Sequence, residues 1–442
     1  MSPLAVTLLM LGSLLTSLLT GRQIFVLLGA IGTIAALALW GVGGSHMPFL
    51  TLFKFFDWYV IVAIPLFLFM GLVLSRSGLA DALYEAMYKW FGGLKGGLGM
   101  GSIGVSTVLA AMAGTNVTGT VCGGLIGIPP MLKRGYNKRM VTGMIQAGGA
   151  LGMIIPPSID FMLYGIIAQV SIGHLWLAGI VPGLLLASMY IAYIGIRCHL
   201  QPHMGPAAPV EERVGWGEKF RSLRVGIQPV LLIFAILGLL FMGVTTLMEC
   251  AAMGAVGALI VTALNRKLTW RLITEALDEG LKISCIFLWI FAAAIFFSCV
   301  YDGLGAPDLV GQILGGFENR YAIIAMMMLS WFVLGMVLDD TAMLVIVAPL
   351  YIPLVHELGF SLVWFGVLFV ISIQMAVLTP PFGYGLFIMK GIVPKDSGIT
   401  LADIYRSVFP FVGIQAICMV LVIAFPQIAL WVPYTLFGFT PR

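Results

Sequence analysis

Long apolar runs follow one another along most of this chain, and short polar or glycine- and proline-rich segments separate them. In the first half these runs predict helices over residues 3–20, 24–42, 60–76 and 175–197. In the second half they predict helices near 229–243, 247–264, 284–300 and 409–430. Because an α-helix needs about 20 apolar residues to cross a ~30 Å hydrocarbon core, the pattern predicts many spanning helices.

Two further segments of the first half are apolar but broken in the middle. Residues 96–131 contain the cluster Gly114-Thr115-Asn116, and residues 140–169 contain Gly148-Gly149, Gly152 and Pro156-Pro157. Lipid offers no partner to a freed backbone group, so such breaks survive only where they are buried in protein or line a wet cavity. We therefore predict a re-entrant helical hairpin over 96–131 and a broken transmembrane helix over 140–169.

The second half repeats this pattern about 224 residues later, without a gap between the matched positions. The matched pairs are Pro129 with Pro353, Gly135 with Gly359, and Pro156-Pro157 with Pro380-Pro381. The repeat predicts a second hairpin over 323–355, turning at Asp339-Asp340-Thr341, and a second broken helix over 361–389. Interrupted segments at corresponding positions of two halves point to the binding site of a transporter.

Composition supports a membrane location for the whole chain. Of its 442 residues, 60% are hydrophobic and only 10% are charged, whereas a soluble domain carries about 25% charged residues. The short alternating segments of an outer-membrane barrel are missing from the sequence. The expected fold class is an all-α polytopic membrane protein made of two repeats, each with a re-entrant hairpin and a broken transmembrane helix.

The distribution of positive charge predicts the orientation of the chain. If the proline-rich, charged linker 198–226 is cytoplasmic, all but three of the 23 Lys and Arg residues fall on the cytoplasmic side. The exceptions are Lys54, Arg320 and Arg442. Since positive residues favour the cytoplasm, both termini are expected outside. Residues 1–197 and 227–442 then cross an odd number of times, and they form two repeats of inverted topology whose hairpin tips can meet.

Polar residues within these apolar segments are candidate functional residues, because a carboxylate is costly at membrane depth. The acidic candidates are Asp160, Asp339 and Asp340, and Gln374 is a further polar residue in a broken helix. Half-helix N-termini suit an anion, whereas half-helix C-termini and unwound carbonyls suit Na⁺. The alternative for each candidate is that it caps a helix or faces a cavity and binds neither substrate nor ion.

Other motifs point away from enzymatic or ATP-driven chemistry. Gly99-x-Gly101-x-x-Gly104 fits the dinucleotide pattern, but no strand precedes it and close helix packing explains it. No GxxxxGK[ST] motif occurs, which argues against ATP as the direct energy source. A polytopic membrane enzyme using Asp339-Asp340 is a remote alternative, because it would need further convergent His, Glu or Cys residues at membrane depth.

Five motifs, in this order along the chain, resemble the large membrane subunit of tripartite ATP-independent periplasmic (TRAP) transporters: IPPMLKRGY, AGGALGMIIPPSI, LAGIVPGLL, LGMVLDD and LTPPFG. The resemblance implies an elevator-type transporter of the bacterial inner membrane, in which two hairpins and two broken helices slide against a scaffold. It also implies Na⁺ symport, a small four-helix membrane subunit as partner, and a periplasmic substrate-binding protein that delivers the solute.

The resemblance also assigns candidate sites, position by position. The sodium-site candidates are Gly114, Thr115, Asn116, Gly149, Gly152 and Pro156 in the first half, and Asp340, Thr341, Thr379, Pro380 and Gly383 in the second. The substrate-site candidates come from the polar residues of the broken segments and not from the resemblance; they are Asn116, Thr118, Ser158, Asp160 and Gln374. Two departures concern ligand identity: the first tip reads Gly-Thr-Asn where the family has a serine-rich run, and Gln374-Met375-Ala376 replaces an acidic residue and a glycine.

Together these observations predict a non-enzymatic subunit that imports a small, carboxylate-type organic anion by Na⁺ symport. Na⁺ is the coupling ion and no other cofactor is expected. The expected partners are the small membrane subunit, the binding protein, the organic anion and the lipid bilayer, with no nucleic acid. With the resemblance, the orientation places the N-terminus and C-terminus in the periplasm and the linker in the cytoplasm. A stand-alone dicarboxylate or inorganic-anion carrier of the same superfamily is the alternative.

Overall fold

The computed structural model describes residues 3–18, 20–207, 209, 214–305, 319–338, 340–381 and 383–438. Nearly all of these residues are helical. Seven helices among them are long and apolar enough to cross a membrane, and a bent pair, Trp216–Ser222 with Gly226–Phe241, forms an eighth candidate span. The predicted fold class, an all-α polytopic membrane protein, is confirmed.

The first half contains the predicted hairpin and the predicted broken helix. Its helices are α1 (Pro3–Leu18), α2 (Ile24–Trp40), α3 (Met47–Phe56), α4 (Ala63–Arg76), α5 (Leu79–Phe91), α6 (Gly97–Ala113), α7 (Asn116–Lys133), α8 (Lys138–Ala150), α9 (Ile159–Ala168) and α10 (Ile172–Leu200). Helices α6 and α7 form the hairpin, and α8 and α9 are the two parts of the broken helix.

The second half repeats the order of these elements. Its described helices are α11 (Trp216–Phe241), α12 (Leu247–Leu264), α13 (Trp270–Asp302), α14 (Arg320–Gly335), α15 (Asp340–Glu357), α16 (Leu362–Val377), α17 (Tyr384–Ile392), α18 (Leu401–Ala424) and α19 (Gln427–Phe437). The offset that relates the prolines carries both ends of α7 onto both ends of α15. Helices α14 and α15 form the second hairpin, and α16 and α17 form the second broken helix.

The break between α6 and α7 follows from the residues at the hairpin tip. Gly114 ends α6 with φ 68°, a left-handed conformation that glycine adopts without a Cβ penalty. A Cβ at this position would also lie 2.8 Å from the carbonyl oxygen of Pro157. Thr115 is extended, and its side chain caps the next helix by accepting from the backbone N–H of Thr118 at 3.5 Å. The chain therefore turns back here instead of continuing as one helix.

The two halves exchange contacts across the centre of the protein. Helix α7 packs against α17 of the other half, and α15 packs against α9 in the corresponding way. The Tyr164 hydroxyl donates to the carbonyl of Leu362 at 2.8 Å, and the Gln374 amide donates to the carbonyl of Ala150, 224 residues away, at 2.8 Å. The hairpins and broken helices thus form one body, and α10, α18 and α19 pack against it. Together these helices are named here the hairpin unit (α6–α10 and α14–α19).

The remaining helices form a second layer beside the hairpin unit. Helices α4 and α5 pack against α6, and α13 packs against α15. Helix α4 is held in turn by α12, and α13 packs against α2. We name this layer the scaffold (α1–α5 and α11–α13).

The predicted linker 198–226 is helical at both ends in the structure. Helix α10 continues to Leu200, and α11 begins at Trp216. The start of α11 is amphipathic and packs on α5: the Trp90 ring meets the rings of Trp216 and Phe220 edge-on. The Trp90 indole N–H also donates to the carbonyl of Lys219 at 3.0 Å. These contacts explain why a charged segment outside the apolar pattern is nevertheless helical.

Candidate functional site

A cavity of about 140 Å³, named here the tip cavity, lies where both hairpin tips meet the scaffold. The first half contributes Gly114 to Thr118, Ile159 and Asp160, and the second half contributes Asp340 and Tyr384. The scaffold contributes Leu68 and four residues of α13. Two tips that are far apart in the sequence therefore face one enclosed space.

The first tip presents a hydrogen-bond donor to the tip cavity. Asn116 is only 4% exposed, and its side-chain oxygen accepts from the Thr120 hydroxyl at 2.9 Å. Its side-chain N–H₂ group has no hydrogen-bond partner among the described residues. Asn116 also begins α7, so the partial positive charge of a helix N-terminus lies at the same place. This tip is suited to bind a negatively charged group.

The first broken helix is joined to this tip through its backbone. The carbonyl of Gly114 accepts from the N–H of Ile159 at 3.2 Å, so a backbone group at one break of the first half is hydrogen-bonded to a backbone group at the other. Ser158 caps α9 by accepting from the Phe161 N–H at 3.2 Å, and it is fully buried. Asp160, in the first turn of α9, lines the cavity and is 6% exposed.

The second tip presents a carboxylate instead of an amide. Asp340 begins α15, and one of its carboxylate oxygens accepts from the Thr341 N–H at 2.8 Å. Asp340 lines the tip cavity, whereas the buried Thr341 does not. Asp339, the other acidic candidate at this turn, lies outside the described residues. Carboxylate oxygens are typical ligands of hard cations, so this tip is suited to hold a cation.

The scaffold wall of the tip cavity is apolar, and sequence reasoning did not identify it. It consists of Ile283, Ile286, Phe287 and Ile290, which lie on one face of α13. Their spacing of three and four residues is the only sequence signal, and it is shared by any helix with an apolar face. Tyr384, the first residue of α17, was also missed. These apolar side chains form the side of the cavity that faces both tips.

Two glycines proposed as sodium-site residues lie away from the cavity and pack helices together. A Cβ on Gly149 would lie 2.7 Å from the Thr120 backbone nitrogen and against the Thr120 hydroxyl. A Cβ on Gly152 would lie 2.7 Å from the Ala110 carbonyl carbon. Both glycines are buried against the helices of the first hairpin. They allow α8 and the turn after it to approach α6 and α7 closely.

The other candidates lie around the breaks without lining the tip cavity. Gln374 is fully buried and bonds the Ala150 carbonyl. The Thr379 hydroxyl donates to the carbonyl of Met375 at 2.7 Å, at the end of α16. Gly383, with φ 36°, precedes α17. Pro156 and Pro380 each begin a cis Pro-Pro bond in their own half.

A second cavity of about 340 Å³ adjoins the tip cavity and shares Val117, Thr118 and Ile283 with it. It runs between α4, α7 and α13 and reaches Arg76 and Glu279. The Arg76 guanidinium is paired with Glu275 at 2.8 Å and with Glu279. The tip cavity therefore continues towards a charged end of the scaffold.

Two repeats whose broken helices and hairpin tips meet at one cavity are typical of a class of secondary membrane transporters. Comparison with known proteins identifies the family. The model of the tripartite ATP-independent periplasmic transporter, DctM component, matches residues 11–428, and the chain belongs to this family. It is a transporter subunit of the large permease type and not an enzyme.

Two similar proteins are named as large permease proteins of TRAP transporters. The C4-dicarboxylate TRAP transporter large permease protein DctM of Vibrio cholerae is 28% identical over 88% of this chain and 89% of its own. The ectoine TRAP transporter large permease protein TeaC of Halomonas elongata is 27% identical over 84% of this chain and 85% of its own. Among solved structures, the Alcanivorax borkumensis YdaH transporter has TM-score 0.64 at 14% identity, covering 97% and 98% of the two chains, which shows a shared fold.

Proposed function

We propose that this protein imports a small organic anion by Na⁺ symport across the bacterial inner membrane. In this proposal a periplasmic binding protein delivers the solute and a small four-helix membrane subunit completes the permease. The observation that carries the proposal is the tip cavity, because it joins a donor tip at Asn116 to a carboxylate tip at Asp340. The solute's carboxylate would accept from the Asn116 amide, and Na⁺ would bind near Asp340.

The charges around the cavity support coupling to a cation. Asp160 and Asp340 line it, and the described lining residues include no Lys, Arg or His. A carboxylate solute entering alone would meet two negative groups in a partly desolvated space, where charges interact more strongly than in water. Bound Na⁺ would offset this repulsion. Na⁺ and solute would then each raise the affinity for the other, because linkage is reciprocal.

The same two carboxylates favour a second candidate substrate class, a zwitterion with a cationic group. A cationic centre could lie beside Asp160 or Asp340, while the solute's carboxylate binds at the first tip. A relative named as an ectoine permease supports a zwitterion, and one named as a C4-dicarboxylate permease supports an anion. The two candidates differ in whether the solute itself supplies positive charge.

We also propose that the hairpin unit moves as an elevator against the scaffold. The apolar α13 wall supports this proposal, because a surface without directional bonds allows the tips to slide. The adjoining cavity would be the exit path, since the charge distribution assigns Arg76 at its end to the cytoplasmic side. The structure would then correspond to a state open towards the cytoplasm.

The test is uptake into proteoliposomes that contain the permease with its small subunit and binding protein. Radiolabelled succinate and ectoine serve as the anionic and zwitterionic probes, with an imposed Na⁺ gradient or pH gradient. We expect uptake of one probe to follow the Na⁺ gradient, and the transported probe decides between the two substrate classes. Uptake driven equally well by a pH gradient without Na⁺ would contradict Na⁺ symport and indicate Asp160 and Asp340 as proton carriers.

A further inference from the structure

We propose that a second pocket, separate from the tip cavity, binds the phosphate-bearing headgroup of an anionic membrane phospholipid. This pocket of about 270 Å³, named here the arginine pocket, lies between α8, α10 and α18 of the hairpin unit. Arg139 lies in the first turn of α8, Arg197 in the last turn of α10, and Arg406 in the second turn of α18. Three guanidinium groups from three helices thus surround one space.

The arginine pocket keeps a net positive charge. The Arg139 side chain is paired with Asp403, with 3.0 Å between the guanidinium Nε and the carboxylate oxygen. Within the described ranges, neither Arg197 nor Arg406 forms an ion pair. Two uncompensated guanidinium groups therefore face the pocket, beside the N-terminal ends of α8 and α18. Guanidinium groups bind phosphate with paired N–H donors, and helix N-termini add partial positive charge.

The surroundings of the pocket fit a lipid better than a soluble phosphate compound. Its inner wall includes the buried side chains of Met140 and Phe411. Large apolar side chains of the same helices form an exposed belt beside the pocket: Ile196, directly before Arg197, is 62% exposed, and Phe409 and Ile417, which follow Arg406 on α18, are 57% and 54% exposed. Such a belt on a membrane protein faces acyl chains. A phospholipid could place its headgroup among the arginines and its chains along this belt.

The predicted orientation places all three arginines on the cytoplasmic side of the membrane. Basic pockets between transmembrane helices on that side are typical sites for anionic headgroups. The bilayer is the usual source of such headgroups for a pocket at the boundary between an apolar belt and water. The arginine pocket shares no residue with the tip cavity, so lipid binding there does not depend on the proposed transport function.

The test measures lipid retention by purified protein in mixed detergent micelles with native mass spectrometry. Phosphatidylglycerol is the anionic probe, and phosphatidylcholine is the neutral one. Replacing both arginines (Arg197→Gln with Arg406→Gln) should weaken phosphatidylglycerol binding about 30-fold, at about 1 kcal/mol for each charge. Binding of phosphatidylcholine should not change. The matched control replaces two exposed basic residues outside the pocket, Arg221→Gln with Lys267→Gln, and should retain the wild-type affinity.

A gain of binding tests the proposal independently of folding. Asp403→Asn removes the carboxylate that neutralises Arg139, while an amide oxygen can still accept from the Thr400 backbone N–H at the start of α18. We expect phosphatidylglycerol to bind about 5-fold more tightly to this variant, an effect equal to one charge. A destabilised protein cannot give this result.

Three outcomes would overturn the proposal. Unchanged phosphatidylglycerol affinity in the double arginine variant would place the lipid elsewhere. Weaker or equal binding in Asp403→Asn would contradict the charge argument. Finally, if phosphatidylglycerol binds the wild-type protein no more tightly than phosphatidylcholine, while inorganic phosphate binds it and the double arginine variant loses that binding, the pocket is a site for soluble phosphate compounds and not for lipid.

Discussion

The close approach of α7 and α8 predicts that Gly149→Ala destabilises the protein. The added Cβ would lie 2.7 Å from the Thr120 nitrogen, whereas ordinary contact begins at 3.4 Å, so α7 must retreat by about 0.7 Å. Overpacking of this kind costs about 1–3 kcal/mol, and the better helix propensity of alanine returns about 1 kcal/mol. Because the obstacle is backbone, the cost lies at the upper end, and we expect a net loss of about 2 kcal/mol.

The measurement is thermal unfolding in detergent, followed by intrinsic tryptophan fluorescence. Gly104→Ala is the matched control, since Gly104 lies in α6 of the same hairpin and an added Cβ there meets no atom within 4 Å. The control should be as stable as the wild type or more stable, by up to about 1 kcal/mol from helix propensity. If Gly149→Ala proved as stable as Gly104→Ala, the close packing described here would be wrong.

A retreat of α7 should also affect the first tip. The Thr120 hydroxyl donates to the Asn116 side-chain oxygen, so a displaced Thr120 alters the orientation of the amide that faces the tip cavity. Solute affinity should therefore fall in Gly149→Ala, although Gly149 does not line the cavity. If the variant were less stable but bound the solute as tightly as the wild type, the packing at Gly149 would have no effect on the first tip.

Two further predictions concern orientation and motion. In a chain without native cysteines, His46→Cys should react with an impermeant thiol reagent from outside intact cells, and Glu218→Cys should react only after the cells are opened; labelling of Glu218→Cys from outside would contradict the inverted topology. In the second experiment, Ser75→Cys should form a disulfide with native Cys122, because Ser75 of α4 lies within hydrogen-bond reach of Cys122 on α7. This cross-link joins the scaffold to the hairpin unit, so it should abolish uptake until it is reduced. Ser75→Cys in a Cys122→Ala background is the control, and full uptake by the cross-linked protein would argue against an elevator.

The order of helices and the position of the breaks could be predicted from the sequence because lipid constrains the backbone. A bilayer tolerates only helices that satisfy their own hydrogen bonds, so Gly114 and Pro156-Pro157 could only mark buried breaks. The repeat then fixed the second half, and the start of α15 at Asp340 agrees with the predicted turn. These features depend on residues that are neighbours in the chain, so they can be predicted from the sequence.

Contacts between the halves could not be predicted in the same way. Gln374 is predicted for the substrate site, and this stays a prediction; the structure adds that its side-chain N–H₂ donates to the carbonyl of Ala150, its counterpart in the other half. Nothing in the sequence around Gln374 reveals which backbone group it meets. Likewise, the close contacts of Gly149 with Thr120 and of Gly152 with Ala110 appear only in the structure, and the prediction that these glycines belong to a sodium site remains a prediction. The α13 wall was missed because its apolar residues look like those of any membrane helix.

The site proposed here depends most on the second tip. Asp340 lines the tip cavity at the start of α15, and it is proposed to hold Na⁺. Asp340→Asn keeps the size of the side chain and removes its charge. The loss of a buried ion partner of this kind is worth about 1–3 kcal/mol, or about 5- to 150-fold in affinity. Asp81→Asn is the matched control, because Asp81 lines only the adjoining cavity.

The most direct test is equilibrium binding of ²²Na⁺ to the purified protein, compared among the wild type, Asp340→Asn and Asp81→Asn. We expect saturable binding to the wild type and to Asp81→Asn, and a half-saturating Na⁺ concentration raised about 5- to 150-fold in Asp340→Asn. Thermal unfolding of each sample establishes that the variants are folded. A folded Asp340→Asn protein that binds Na⁺ as tightly as the wild type would contradict the assignment of the tip cavity as the Na⁺ site.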